Sequence, residues 1–362
     1  MKEQNVLVLN LGSTSTKIAI YQGQNPLFVE TLRHTAEELA CDDPIGFREK
    51  KVMEILEEKG HPIEKVDAIA ARGGLLRPIE SGTYEINERM VEDLKSERYG
   101  SHASNGTGII GYELGQKYNI PVYTVNPTSV DELDEIARVT GRPEVRRHVN
   151  WHALNQKAVA ISYAESIGKK YEELNLIVAH IGGGTTIGAH AKGRTVEVNS
   201  ALEGEGPFTV ERAGRLPYSA LANSFLNDTY DNMESFQKVM NGKSGAVAHL
   251  GTNSGIEIGK RIEAGDAKAA LFYEWTENVL GCERADAVLF RYDERIRTSG
   301  NRTSDVVLLT GGLAYDKRLT NWIKDRVDFV APVVIYPGEN EMEALAFGVL
   351  RVLEGQEKAK QY

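Results

Sequence analysis

Cysteine is almost absent. Cys41 and Cys282 are the only two in 362 residues and lie far apart, so neither a disulfide framework nor a cysteine-based metal site is encoded. A reducing compartment, the cytoplasm, is the expectation. Long apolar runs are missing too: none approaches the ~20 residues that span a bilayer. The run Val6–Leu9 behind Lys2 stops at Asn10 and is expected to be a strand rather than a secretion signal. Positive charge is in deficit. The 42 lysines and arginines face 52 aspartates and glutamates, a net charge of −10, which gives no reason to expect nucleic acid or an anionic membrane surface. A phosphate ligand would need a local site rather than the field of the whole chain. What remains, 41% hydrophobic and 26% charged, is ordinary globular composition, and the length calls for two domains.

The chain opens on strands. Asn5 to Leu11, Thr16 to Tyr21 and Pro26 to Leu32 are apolar or alternating, with the turn Gly12-Ser13-Thr14-Ser15 making a hairpin of the first two. A helix is predicted over Pro44 to Lys59, a strand over Lys65 to Ala71, a helix over Gly106 to Tyr118 and a strand over Pro121 to Val125. The theme repeats with strands at Leu174 to Ile181, Thr185 to Ala191 and Arg194 to Val198. Helices follow near Tyr218 to Leu226 and Gly265 to Phe290, then strands at Asp305 to Leu309 and Asp328 to Ile335, and a closing helix from Asn340 to Leu353. The expectation is two related α/β domains, 1–150 and 151–339, facing each other across a cleft. The boundary is placed near Arg147 to Trp151, and the segment 340–362 is expected to join the first domain.

Four segments carry candidate chemistry. Asn10, Gly12, Ser13, Thr14, Ser15 and Lys17 put backbone N–H groups, hydroxyls and one ammonium in a tight turn, the groups a phosphate chain needs; a plain polar hairpin turn reads the same way. His180 precedes Gly182-Gly183-Gly184-Thr185. This is not a dinucleotide fingerprint, because a strand pattern and not a helix follows the glycines. His180 is either a ligand at the mouth of a second hairpin or a structural histidine. Gly311-Gly312 ends a strand before a helix, a place for a nucleoside or simply a tight turn. Arg72 ends a buried strand beside Gly73-Gly74 and is either an anion-binding arginine or a solvated loop residue. Asn241-Gly242-Lys243-Ser244 is no P-loop, since its first glycine would fall on Gln237.

Together these segments resemble one family, the acetate and butyrate kinases. VLVLNLGSTSTKIAIY is similar to its first phosphate motif, HIGGGTTIGAH to its second and LLTGGLAYDKRL to its adenosine motif. RGGLLRPI, HALNQKAVA, NSALEGEGPFTVERAG and VVIYPGENEMEALAFG resemble the butyrate kinases within it. The resemblance is collinear from about Asn5 to Leu353. It implies an α/β fold with two ribonuclease-H-like domains of the actin/hexokinase/Hsp70 type. It further implies ATP and Mg2+ as cofactors, a short-chain carboxylate (or, in reverse, its acyl phosphate) as partner, and a homodimer or larger assembly. Carried over by motif, Asn10 and Glu341 are expected to organise the magnesium and Arg72 to bind the transferring phosphoryl group. His180 would donate to that group, and Gly182 to Thr185 and Gly311-Gly312 would contact the nucleotide.

The sequence departs from the family at named places. Leu11 stands where proline is usual, Asn126 where the motif Val-Asp-Pro has its catalytic aspartate, and Ile256 where an arginine is expected shortly after Gly251-Thr252-Asn253. The stretch Cys282 to Asn301 is unusually rich in arginine and acid. These changes leave a second reading: a catalytically weakened nucleotide-binding protein of the same fold, acting as a regulator or partner-binding module.

Overall fold

The computed structural model describes residues 3–227, 230–282 and 304–362. The chain divides into two compact units, one of Met1–Val130 with Asn340–Tyr362, the other Asp131–Glu339. The division falls ahead of the Arg147 to Trp151 region because residues 131–150 bond to the second unit. Arg147 pairs with Glu197 (2.8 Å) and Glu205 (2.7 Å), and buried Lys157 pairs with Glu132 (2.8 Å).

The first unit is built on strands β1 (Asn5–Leu11), β2 (Ser15–Gln22), β3 (Asn25–Arg33), β4 (Ala68–Ala71), β5 (Thr83–Glu85) and β6 (Val122–Val125), in the order β3-β2-β1-β4-β6-β5. β1 is parallel to β4 and β4 to β6. β1 is apolar and buried along nearly its whole length, as a strand covered on both faces must be. One face packs on the helices Pro44–Glu58 and Asn105–Tyr118, with Leu7, Leu9, Ile69 and Leu114 in the core. The helix Glu341–Leu353 also packs on β1, β4 and β6.

The second unit holds β7 (Asn175–Ile181), β8 (Thr185–Ala191), β9 (Arg194–Val198), β10 (Val306–Gly311) and β11 (Val333–Pro337), ordered β11-β10-β7-β8-β9. β7, β8 and β9 form an antiparallel meander, and β10 lies parallel to both β7 and β11. The first five strands of the other sheet that pair in this way, β3-β2-β1-β4-β6, repeat the same order and sense. The repeat expected from the sequence is therefore one of topology.

Several elements differ from expectation. Residues Ile63–Lys65 form a 3-10 turn, so β4 begins at Ala68. The helix expected from Gly265 starts at Ala267, after Gly265 takes a left-handed φ of 85°. It runs to Cys282; its expected remainder, 283–290, lies outside the described residues, as does most of the arginine-rich stretch 282–301. The strand expected over Asp328 to Ile335 is Val333–Pro337, because residues 328–331 form the turn that closes the helix Lys317–Val327. β5 and the helices Glu88–Lys95 and Ala153–Ser166 were not predicted. No helix among the described residues is long and apolar enough to cross a membrane.

Candidate active site

In the first unit the candidate residues gather at the carboxyl ends of the parallel strands, where ligands of such sheets are received. Asn10 lies near the end of β1, opposite Lys17 of β2. Asn10 Nδ2 donates to Glu341 Oε2 (2.8 Å), and the other carboxylate oxygen of Glu341 pairs with Arg72 Nη1, just beyond β4. Both the acid and the asparagine are buried. Sequence had placed these three residues far apart; the helix that begins at Glu341 brings its acid to the strand ends.

The turn Gly12–Ser15 is held from one side. Arg48, buried on the helix Pro44–Glu58, donates from Nη1 to Gly12 O and Ser15 O and from Nη2 to Ser13 O, each at 2.9 Å. His34 N donates to Thr14 O (2.9 Å). With these carbonyls turned to Arg48 and His34, the N–H groups of Ser13 and Thr14 make no hydrogen bond among the described residues. Successive outward N–H groups of this kind form an anion-binding concavity.

Asn126 is buried and takes a left-handed φ of 40°, a region asparagine tolerates better than most residues. Its Oδ1 accepts from Gly82 N (2.7 Å) while its own N–H donates to Gly82 O (3.1 Å). The amide oxygen thus ties the end of β6 to Gly82.

In the second unit, β7 and β8 form a hairpin that closely parallels the first. None of Gly182, Gly183 and Gly184 has positive φ; the restraint here is one of space, tight at the first two and a clash only at Gly184. A Cβ on Gly182 would lie 3.2 Å from His180 Nε2 and one on Gly183 3.1 Å from a Glu211 carboxylate oxygen, and at Gly184 it would collide with the Arg212 guanidinium. Gly311 is different. Its φ of 94° and its place 2.7 Å from Ile181 N (measured from a built Cβ) exclude any side chain. The helix expected right after Gly312 is a single 3-10 turn, Gly312–Tyr315; the helix proper starts at Lys317, capped by Asp316.

Gly182, Gly183 and Gly312 line one cavity of about 750 Å3 together with Ile256, Tyr273, Lys260, Lys317 and Arg318. Its size and its aromatic and aliphatic walls suit a nucleotide, while its cations share the lining with Glu211, Glu263, Asp316 and Glu339. Ile256, the position where arginine was expected, faces this space. Gly184 and Gly311 do not line it, and Thr185 lines a second cavity of about 340 Å3 with Arg212, Leu216, Phe236 and Met240.

His180 is buried, and its Nδ1 lies 2.7 Å from Asn155 Oδ1. The His152 ring stacks on it at 3.8 Å and 10°. Sequence reasoning missed His152 and Asn155, on a helix it did not predict, and Arg212. Arg212 sits in an unstructured stretch between Val210 and Tyr218, where an arginine gives no local signal. Burial lowers its pKa, and its Nε has no hydrogen-bond partner among the described residues.

Comparison with known proteins decides the family. The model of the acetokinase family matches residues 137–283. Over 364 aligned residues the chain is 45% identical to butyrate kinase 1 of Clostridium acetobutylicum, covering 99% of each chain. The chain belongs to the acetokinase family. It is thereby a carboxylate kinase. Solved acetokinases share its architecture. Acetate kinase of Porphyromonas gingivalis superposes with a TM-score of 0.73 at 18% identity, over 97% of this chain and 100% of that one. A propionate kinase of Francisella tularensis does so with 0.72 at 18%, over 95% and 98%. At such identities the likeness is one of fold, and it establishes the acetokinase pair of ribonuclease-H-like domains.

Proposed function

We propose that the protein transfers the γ-phosphoryl group of ATP to butyrate or a branched analogue, giving an acyl phosphate, and runs in reverse to form ATP. The observation that carries this reading is the cavity joining two glycine turns, in a chain whose whole length follows a butyrate kinase. A carboxylic acid titrates near ~4.3, as glutamate does, so the acceptor is already a nucleophile at neutral pH and no general base is needed. The task is to bring two anions together, which is work for positioned positive charge and N–H groups. In the first unit Arg72 and the N–H groups of Ser13 and Thr14 are candidates for that work, and in the second unit the His152–His180 pair. Arg72 spends one donor on Glu341, and its planar fork has further donors for an oxyanion.

The residues fit magnesium. Among the described residues no group of three or more His, Cys, Asp or Glu side chains is arranged to hold a metal. One carboxylate, Glu341, with the Asn10 amide beside it, is the donor set expected where the ion keeps its waters and arrives with phosphates. When bound, magnesium would neutralise charge on the polyphosphate. Glu341 is held ready by Arg72 and Asn10, which orient both its oxygens. A cytoplasmic homodimer or larger assembly is expected from the family likeness alone.

The test is a hydroxamate trap for acyl phosphate with butyrate, isobutyrate, propionate and acetate under Mg-ATP. Butyrate or isobutyrate should give the highest kcat/KM. No hydroxamate from any of the four would overturn the reading and favour the catalytically weakened regulator.

A further inference from the structure

Residues 357–362 lie against β5, the edge strand of the first unit. Lys360 N donates to Thr83 O (2.8 Å), Glu85 N donates to Lys360 O (3.0 Å), and Tyr84 and Lys360 pair in parallel. The segment is anchored at Tyr362, which is buried in the main core of this unit. Its hydroxyl donates to Asp93 Oδ2 (2.8 Å) and accepts from Arg77 N (3.2 Å). Two other side chains of the segment reach residues 81–83. Lys360 Nζ donates to Ser81 O (2.7 Å), and Glu357 Oε1 accepts from Thr83 N (2.8 Å). The second oxygen of Glu357 accepts from Arg351 Nε (3.2 Å), on the helix Glu341–Leu353. Gly82 lies between these contacts with a φ of 137°, which only glycine adopts readily, and a Cβ on it would sit 3.1 Å from Lys360 Cε. Both main-chain groups of Gly82 go to Asn126: its N–H donates to Oδ1 and its carbonyl accepts from the Asn126 N–H. A backbone N–H only donates, so the amide atom that faces it is the oxygen. What Asn126 has left to present is its NH2. That group has no partner among the described residues and is not sealed from solvent. Asn126 directly follows β6, which is parallel to the strand that Arg72 ends. A Cβ on Gly73 would meet the Pro127 side chain at 3.1 Å, so the two strand ends touch.

We propose that residues 357–362 are a strap that serves the phosphoryl transfer: by holding Gly82 they fix the Asn126 amide so that its NH2 donates to a substrate oxyanion. Lys360 and Glu357 are then positioning residues, and Asn126 is the group that touches substrate. An NH2 carries two donors and no charge, so it receives an anion without repelling it. A donor whose direction is set before the substrate arrives needs no reorganisation at the moment of reaction. Lys360 and Glu357 act from the far side of Gly82 and need no contact with substrate. The catalytic half of the proposal rests on the kinase reading; the hold on Gly82 does not.

The experiment separates the two. Hydrogen exchange of the full chain, read at the Gly82 and Thr83 amides, tests the hold. Lys360→Met removes the donor to Ser81 O, and exchange at these amides should quicken at least ~10-fold, a local opening with little change in Tm. Lys360→Arg keeps a donor and should restore the protection. Kinetics test the function. Lys360→Met should lower kcat/KM for butyrate at least ~5-fold while KM for ATP stays within ~2-fold. Asn126→Gly keeps the left-handed backbone and removes the amide. In that background Lys360→Met should change kcat/KM less than ~2-fold, because the group it positions is gone. The loss in Asn126→Gly names the oxyanion: a raised KM for butyrate assigns the NH2 to the carboxylate, and a loss confined to kcat assigns it to the transferring phosphoryl group. Glu357→Leu, beside Glu357→Gln, which keeps the acceptor, repeats the test from Thr83. Unchanged exchange, unchanged kcat/KM in both Lys360→Met and Glu357→Leu, or equal losses with and without the Asn126 amide would overturn the proposal. Quickened exchange in a protein that makes no acyl phosphate would overturn the positioning role and the kinase reading, and leave the hold on Gly82 standing.

Discussion

Arg48→Met should damage both the stability of the first unit and its grip on phosphate. The guanidinium makes three charge-assisted hydrogen bonds to the carbonyls of Gly12, Ser13 and Ser15. Such bonds contribute ~1.5–3 kcal/mol each, but the sum overstates the loss, because Ser13 is exposed and Gly12 and Ser15 are only half-buried, so their carbonyls regain water. Methionine also keeps most of the packing of the arginine stem. A net cost of ~3 kcal/mol remains. At ~2–4 °C per kcal/mol for a unit of this size, Tm should fall by ~6–12 °C. The functional effect is separate. Once the carbonyls are released, the N–H groups of Ser13 and Thr14 no longer point one way, and KM for ATP should rise ~10-fold, equivalent to ~1.4 kcal/mol. Arg48→Lys should fall between, since one ammonium cannot span three carbonyls as a planar fork does. Scanning calorimetry with and without Mg-ATP, beside steady-state kinetics, measures both. A lower Tm with unchanged KM would mean that Arg48 supports the fold and not the turn. No change in either would refute the argument.

Three further outcomes are expected. His180→Ala should lower kcat at least ~10²-fold, the size of one lost electrostatic group, with nucleotide affinity little changed; an unchanged kcat in a hydroxamate assay would make His180 structural. Asn126→Asp should fold normally, because a carboxylate accepts from Gly82 N as the amide does, and should lower the magnesium needed for half activity; identical magnesium titrations would place residue 126 away from the chemistry. Gly311→Ala should cost several kcal/mol, more than the ~1 kcal/mol of an ordinary left-handed alanine, because its Cβ would overlap the Ile181 backbone; denaturant unfolding checks this, and a loss under ~1 kcal/mol would contradict it.

Hairpins and strand-end glycines were legible in the sequence because their signals are local. β1, β2 and β3 follow the apolar alternation to within a residue or two, and the buried run of β7 reads directly. What escaped was tertiary. Arg48 sits in an amphipathic helix where an arginine ordinarily faces water, and its burial follows from a turn more than thirty residues earlier. The helix Ala153–Ser166 is buried along much of its length, Lys157 included, so it lacks the one-sided apolar stripe that announces a surface helix. With that helix unseen, Asn155 and His152 could not be joined to His180. Glu341 was found through family resemblance; nothing in its local sequence marks an acid that will pair with Arg72.

The first unit is assembled from both ends of the chain, and this orders its synthesis. Strands β1 to β6 are complete by residue 125, yet the helix that covers β1, β4 and β6 begins only at Glu341. At ~5–20 residues per second, the ribosome needs ~10–40 s to bridge that interval. Throughout it Arg72 lacks its acid and the nascent sheet keeps an apolar face uncovered, a natural surface for a chaperone to shelter. The residue that neutralises the arginine is also the one proposed to organise the metal, and it emerges only with the helix Glu341–Leu353.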